Sequence, residues 1–89
     1  MNDLTPEQRE QVRLSLLRYA LRQSRTGILR ANLRAEGYRL DDDTVMQEIT
    51  YLEDKGLLKA EMKFISPENK FWRTTADGRD YLASQGEEQ

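Results

Sequence analysis

The 89 residues predict one α+β domain in which three helices precede a two-stranded hairpin and a short closing helix. Three features carry that expectation. Apolar residues recur at helical spacing as far as Lys55. From Leu57 to Thr74 the pattern changes to alternation around the turn residues Ser66-Pro67-Glu68-Asn69. Thr75 then opens one more helical segment.

The first helix opens at Thr5-Pro6-Glu7-Gln8. Thr5 is a capping residue, Pro6 suits the first helical position because the N–H it lacks has no intrahelical acceptor there, and Gln8 completes a capping box. The spacing predicts a helix to about Gln23. Leu14, Leu17 and Leu21 form one apolar stripe, and Val12, Leu16, Tyr19 and Ala20 form an adjacent one. At about 100° per residue the two cover half the helix or more. That breadth suits a central helix packed from two sides. A helix that lends one stripe to a homodimer would look similar, but the core reading is favoured.

Ser24-Arg25-Thr26-Gly27 reads as a break. A second helix is expected from Ile28 to Glu36, with Leu29 and Leu33 inward and Gly37 as a left-handed terminator. Tyr38-Arg39-Leu40 connects, with Leu40 in the core. Asp41 caps a third helix expected from Asp42 to Lys55. Its inward residues are Val45, Ile49 and Leu52, and Gly56 stops it. A strand from Leu57 to Ile65 places Leu58, Ala60, Met62 and Phe64 on one side and Lys59, Glu61 and Lys63 on the other. Lys70 to Thr74 returns with Trp72 and Thr74 on one face. A last helix from Ala76 to Ser84 buries Tyr81 and Leu82. The domain thus spans 1–84, and 85–89 is a polar tail.

Composition narrows the chemistry. Cysteine and histidine are both absent, which removes disulfides, thiolate metal sites, the commonest general base and the commonest zinc ligand. The carboxylates fall in no motif that outlines a pocket, so neither an enzyme nor a cofactor is expected. The polar start MNDLTPEQRE is unlike a signal peptide, and no run approaches the roughly 20 apolar residues of a membrane helix. A cytoplasmic protein without a membrane partner is the expectation.

The order helix, helix, helix, strand, strand, helix is that of a winged helix, a helix-turn-helix variant with a β-hairpin wing. Two segments add a resemblance. Leu52-Glu53-Asp54-Lys55-Gly56-Leu57-Leu58 and Thr74-Thr75-Ala76-Asp77-Gly78-Arg79 resemble winged-helix domains of the transcription-regulator type. There a Leu-x-x-x-Gly-Leu segment ends the third helix, and a Thr-x-x-Gly-Arg segment opens the last. The likeness runs from about Leu14 to Leu82. More narrowly, Gly37, Leu40, Asp41, Val45, Ile49, Leu52 and Gly56-Leu57-Leu58 have a spacing similar to the small winged-helix proteins of Mu-like phages and prophages. The resemblance makes the third helix the candidate recognition helix and DNA the candidate partner. It implies no particular mechanism, because that phage group is largely without an established activity.

Charge complicates this expectation. Residues 1–40 hold eight Arg against four acids, a balance of +4, whereas residues 41–54 hold six acids and no base, a balance of −6. The outward face of the third helix carries Asp43, Gln47, Thr50, Tyr51 and Asp54. Gln47 can pair with adenine, and Thr50 or Tyr51 can reach a base or a phosphate. Asp43 and Asp54 repel phosphates. The aspartates at 41–43 are also good helix-start chemistry, one as a cap and two favoured by the positive end of the helix dipole. Candidate phosphate contacts are Arg30 and Arg34 on the second helix and Lys63, Lys70 and Arg73 around the hairpin turn. Arg39 lies in the connector, and Arg18, Arg22 and Arg25 are predicted as a stripe on the first helix. The same arginines could instead answer the acidic third helix in surface ion pairs. Phe71 and Trp72 are either nucleic-acid contacts or a covered edge residue and a core residue. Two functions follow. One is a DNA-binding regulatory module acting as a dimer. The other is a protein-interaction module whose Asp43 and Asp54 dock on a basic partner.

Overall fold

The computed structural model describes residues 4–61 and 70–86. The elements are α1 (Pro6–Tyr19), β1 (Ser24–Arg25), α2 (Thr26–Ala35), α3 (Asp42–Asp54), β2 (Leu58–Glu61), β3 (Phe71–Thr74) and α4 (Ala76–Ser84). Helices and an antiparallel sheet build an α+β winged helix. Met62, Lys63, Phe64, Ile65 and the expected turn at 66–69 lie outside the described residues, as do 87–89 of the tail.

Helix α1 starts as its capping box dictates. The Gln8 N–H donates to Thr5 Oγ1 at 3.0 Å, and Gln8 Oε1 accepts from the Thr5 N–H at 3.0 Å. It stops at Tyr19 rather than at the expected Gln23. The cause is the sheet: the Ala20 carbonyl accepts from the Thr74 N–H at 2.9 Å, which draws the backbone out of the helical ladder. Ser24 and Arg25 then pair with Trp72 and Phe71. The segment expected to be a break is therefore a third strand, and the sheet order is β1-β3-β2. Helix α2 correspondingly begins at Thr26, ahead of the expected Ile28. Thr26 is buried because its hydroxyl oxygen accepts from Trp72 Nε1–H at 2.9 Å, an indole donor that needs a partner once it is out of water.

Helix α1 is the centre of the domain. Val12, Leu16, Leu17 and Ala20 are fully buried and Leu14 nearly so, covered by α2, α3, α4 and β3 of the same chain. Both apolar stripes are thereby used within the domain. Only the half-covered Tyr19 and Leu21 remain at their margin, which removes the basis for a homodimer built on a spare stripe of this helix.

Local chemistry sets the remaining ends. Gly37, with φ +103°, follows α2, and Gly56, with φ +78°, follows α3. Both are in the left-handed region, which costs a residue with a Cβ roughly 1–2 kcal/mol. Asp41 caps α3 by accepting from the Thr44 N–H at 2.9 Å. In the sheet, Leu58, Trp72 and Thr74 face the core, and the Thr74 hydroxyl donates to the Leu17 carbonyl at 2.7 Å. Thr75 caps α4 by accepting from the Gly78 N–H at 3.0 Å, and it donates to the Gly56 carbonyl at 2.7 Å. In α4, Leu82 is buried and Tyr81 is half-buried.

Candidate functional site

The outward face of α3 is as expected. Asp43, Gln47, Thr50, Tyr51 and Asp54 are exposed and, with Met46, line a shallow depression. Among the described residues, the side chains of Gln47 and Thr50 make no hydrogen bond, and Asp43 and Asp54 make no ion pair. Tyr51 differs from them. It is 38% exposed, but the Arg13 guanidinium lies 3.7 Å from its ring centroid and the Lys55 ammonium 5.6 Å away. One face of its ring is thus occupied from α1, which leaves an edge and the hydroxyl for any ligand.

Arg13 also reveals a residue the outward-face argument passed over. Glu48 is 5% exposed, and its carboxylate accepts from Arg13 Nε at 2.6 Å, with Arg9 Nε at 3.6 Å from the other oxygen. Its position was legible, since 48 falls three after Val45 and four before Leu52. Its partners were not, because they lie on a different helix. Beside this group is a pocket of about 300 Å³ lined by Glu10, Arg13, Tyr51, Leu52, Lys55, Leu57 and Tyr81. The Tyr81 hydroxyl donates to Glu10. That bond, with burial second, pushes the phenol up to about 12. Tyr19 is also raised to about 12, by burial first and then by its hydrogen bond to Glu36.

The expected phosphate contacts divide into two sets. Arg30 is engaged by Asp42 at 3.3 Å, and Arg73 by Glu61 at 3.3 Å. Lys70 lies over Trp72 at 5.4 Å. Lys63 is outside the described residues. Arg34 is exposed and has no ion pair among the described residues. Arg39 is in the same condition, and the two line a second depression with Gly37, Leu40 and Asp41, directly before α3. The arginine stripe expected on the first helix does not form, because Arg22 and Arg25 lie beyond its end. Arg18 turns to Glu36 at 3.3 Å. Glu61 gathers several donors: Gln23 Nε2 donates at 2.6 Å, and Lys59 Nζ is 3.8 Å away in addition to Arg73. The Gln23 hydrogen bond, followed by Arg73 and Lys59, holds the carboxyl below its usual range.

No protein-family profile and no curated protein matches the chain. Among solved structures it is similar to the crystal structure of a PadR family transcriptional regulator from Eggerthella lenta DSM 2243. The TM-score is 0.76 at 23% identity, over 90% of this chain and 73% of that one. At that identity the likeness establishes the shared fold.

Proposed function

We propose that the chain is a DNA-binding winged-helix module with a transcription-regulatory, non-enzymatic role in the cytoplasm, of the kind found in Mu-like phages and prophages. The observation that carries the reading is the uncommitted pair Gln47 and Thr50, exposed side by side on the outer face of α3. The fold shared with a solved transcriptional regulator supports it. In this reading Gln47 and Thr50 meet base edges, and Tyr51 adds its hydroxyl. Arg34 and the neighbouring Arg39 take phosphates before α3, and Lys63, Lys70 and Arg73 take them at the wing. Arg30 and Arg73 exchange a carboxylate for a phosphate at small cost, because exposed ion pairs are worth roughly 0–1 kcal/mol.

The test is a binding assay against selected and random duplexes. Reversing Lys70 and Arg73 to Glu weakens binding to every sequence and lowers its salt dependence, since each lost phosphate contact removes about 0.9 from the slope. Gln47→Ala changes sequence preference instead. Unchanged affinity in the double reversal takes the wing out of the account.

One observation favours a second reading. Among the described residues, the depression on α3 is lined by Asp43 and Asp54 and by no cation, and the nearby Arg9, Arg13 and Arg30 are held by Glu48 and Asp42. Such a face suits a basic protein surface. Asp43→Lys with Asp54→Lys then abolishes capture of that partner, whereas under the DNA reading the same change strengthens duplex binding.

A further inference from the structure

The outer face of the sheet is a surface distinct from α3. Alternation in β3 sends Trp72 and Thr74 into the core and turns Phe71 and Arg73 away from it. Register brings the neighbours. Phe71, on the central strand, lies opposite Arg25 on β1 and Glu61 on β2, and Arg73 lies opposite Lys59. Residues directly opposite in an antiparallel pair share a face. An aromatic ring therefore sits mid-sheet among Arg25, Arg73, Lys59 and Glu61. Three cations against one carboxylate leave +2, and the carboxylate is already occupied by Gln23 at 2.6 Å, Arg73 at 3.3 Å and Lys59 at 3.8 Å. The Arg25 guanidinium lies 5.3 Å from the Phe71 centroid. The side chains of Lys59 and Arg73 are 59% and 44% exposed.

We propose that this face binds single-stranded nucleic acid, with one base stacked on Phe71 and the flanking phosphates held by Arg25, Arg73 and Lys59. Stacking on an aromatic side chain tolerates any base, and a cationic groove follows the backbone. Arginine suits both tasks, because its planar group stacks on rings and forks onto phosphate oxygens. Adjacent strands are about 4.8 Å apart. Arg25 lies directly beside Phe71 on one edge, and Lys59 lies on the other edge two residues along from Glu61, opposite Arg73, so the cations flank the ring diagonally and a strand crosses the sheet obliquely. In a duplex each base face is covered by the base pairs stacked above and below it, so the face that Phe71 needs is free only in a single strand. The proposal stands whether or not α3 reads a duplex.

Fluorescence anisotropy of the full chain with a labelled oligothymidine, an oligouridine and a mixed-sequence duplex of equal length tests it. Wild type is expected to bind one or both single strands, more weakly as salt rises. The stronger of the two tells DNA from RNA. Phe71→Leu, which keeps apolar volume and loses the ring, is expected to weaken single-strand binding roughly tenfold. Arg25→Gln lowers the salt slope by about 0.7. Gln47→Ala leaves single-strand binding unchanged. Fluorescence of Trp72, buried beneath this face, verifies that each variant is folded. Should Phe71→Leu alter that signal, Phe71→Tyr keeps the ring and must bind as wild type does. Absence of single-strand binding, wild-type affinity in folded Phe71→Leu, or its loss in Gln47→Ala would overturn the proposal.

Discussion

Glu48 occupies a place where an apolar residue would be expected, between Val45 and Leu52 on the inward arc of α3. A buried carboxylate is tolerated there because Arg13 and Arg9 reach it from α1. Replacing such a pair by well-packed apolar groups is often neutral, but removing one partner strands the other charge. Arg13→Met is therefore expected to cost about 3 kcal/mol, read as a lowered urea midpoint. A loss below roughly 1 kcal/mol would mean that Arg9 alone satisfies the carboxylate. At this scale the sequence was readable for faces and unreadable for partners. The exposure of Gln47 and Thr50 follows from helical period. The Arg13 stack on Tyr51 depends on how α1 and α3 are placed, which no local pattern records.

At the scale of elements, caps and stops were the legible part because their chemistry is local. Thr5, Asp41 and Thr75 cap, and Gly37 and Gly56 follow their helices, as the residues alone implied. Strand β1 was not legible. Two residues show no alternation, and their conformation is imposed by β3 across the sheet. The Thr-x-x-Gly-Arg segment acquires a physical reason here. A Cβ on Gly78 would lie 2.3 Å from the Leu57 carbonyl oxygen and 2.5 Å from Thr74 Cγ2, so α4 can dock only through a residue without a side chain. Gly78→Ala is expected to destabilise the domain by about 1–3 kcal/mol despite alanine's better helix propensity. A thermal melt equal to wild type would show that α4 can shift freely away from Leu57.

For the whole molecule, the two phenols raised to about 12 tie stability to alkaline pH. An ordinary tyrosine ionises near 10. Because the folded-state values lie higher, the stabilisation from Tyr19 and Tyr81 is complete below about pH 10 and is lost as pH rises from there through about 12. Denaturant midpoints measured across that range should fall for wild type and fall less for Tyr19→Phe with Tyr81→Phe. Identical slopes would mean that neither phenol is coupled to folding. Among the described residues the fold was legible apart from β1 and the ends of α1 and α2 beside it, whereas the choice of partner was not. It depends on which arginines are spent internally, and only the assembled molecule separates Arg9, Arg13 and Arg30 from Arg34 and Arg39. In the proposed reading α3 and its basic flanks meet duplex DNA. The most direct test of that reading is an amide-resolved NMR titration of the labelled protein with a mixed-sequence duplex, at low and then moderate salt. Shifts are expected at Gln47 and Thr50, across Arg34–Arg39, and at Lys70 and Arg73, all reduced by salt. No shifts at low salt, or shifts that spare α3 altogether, would contradict it.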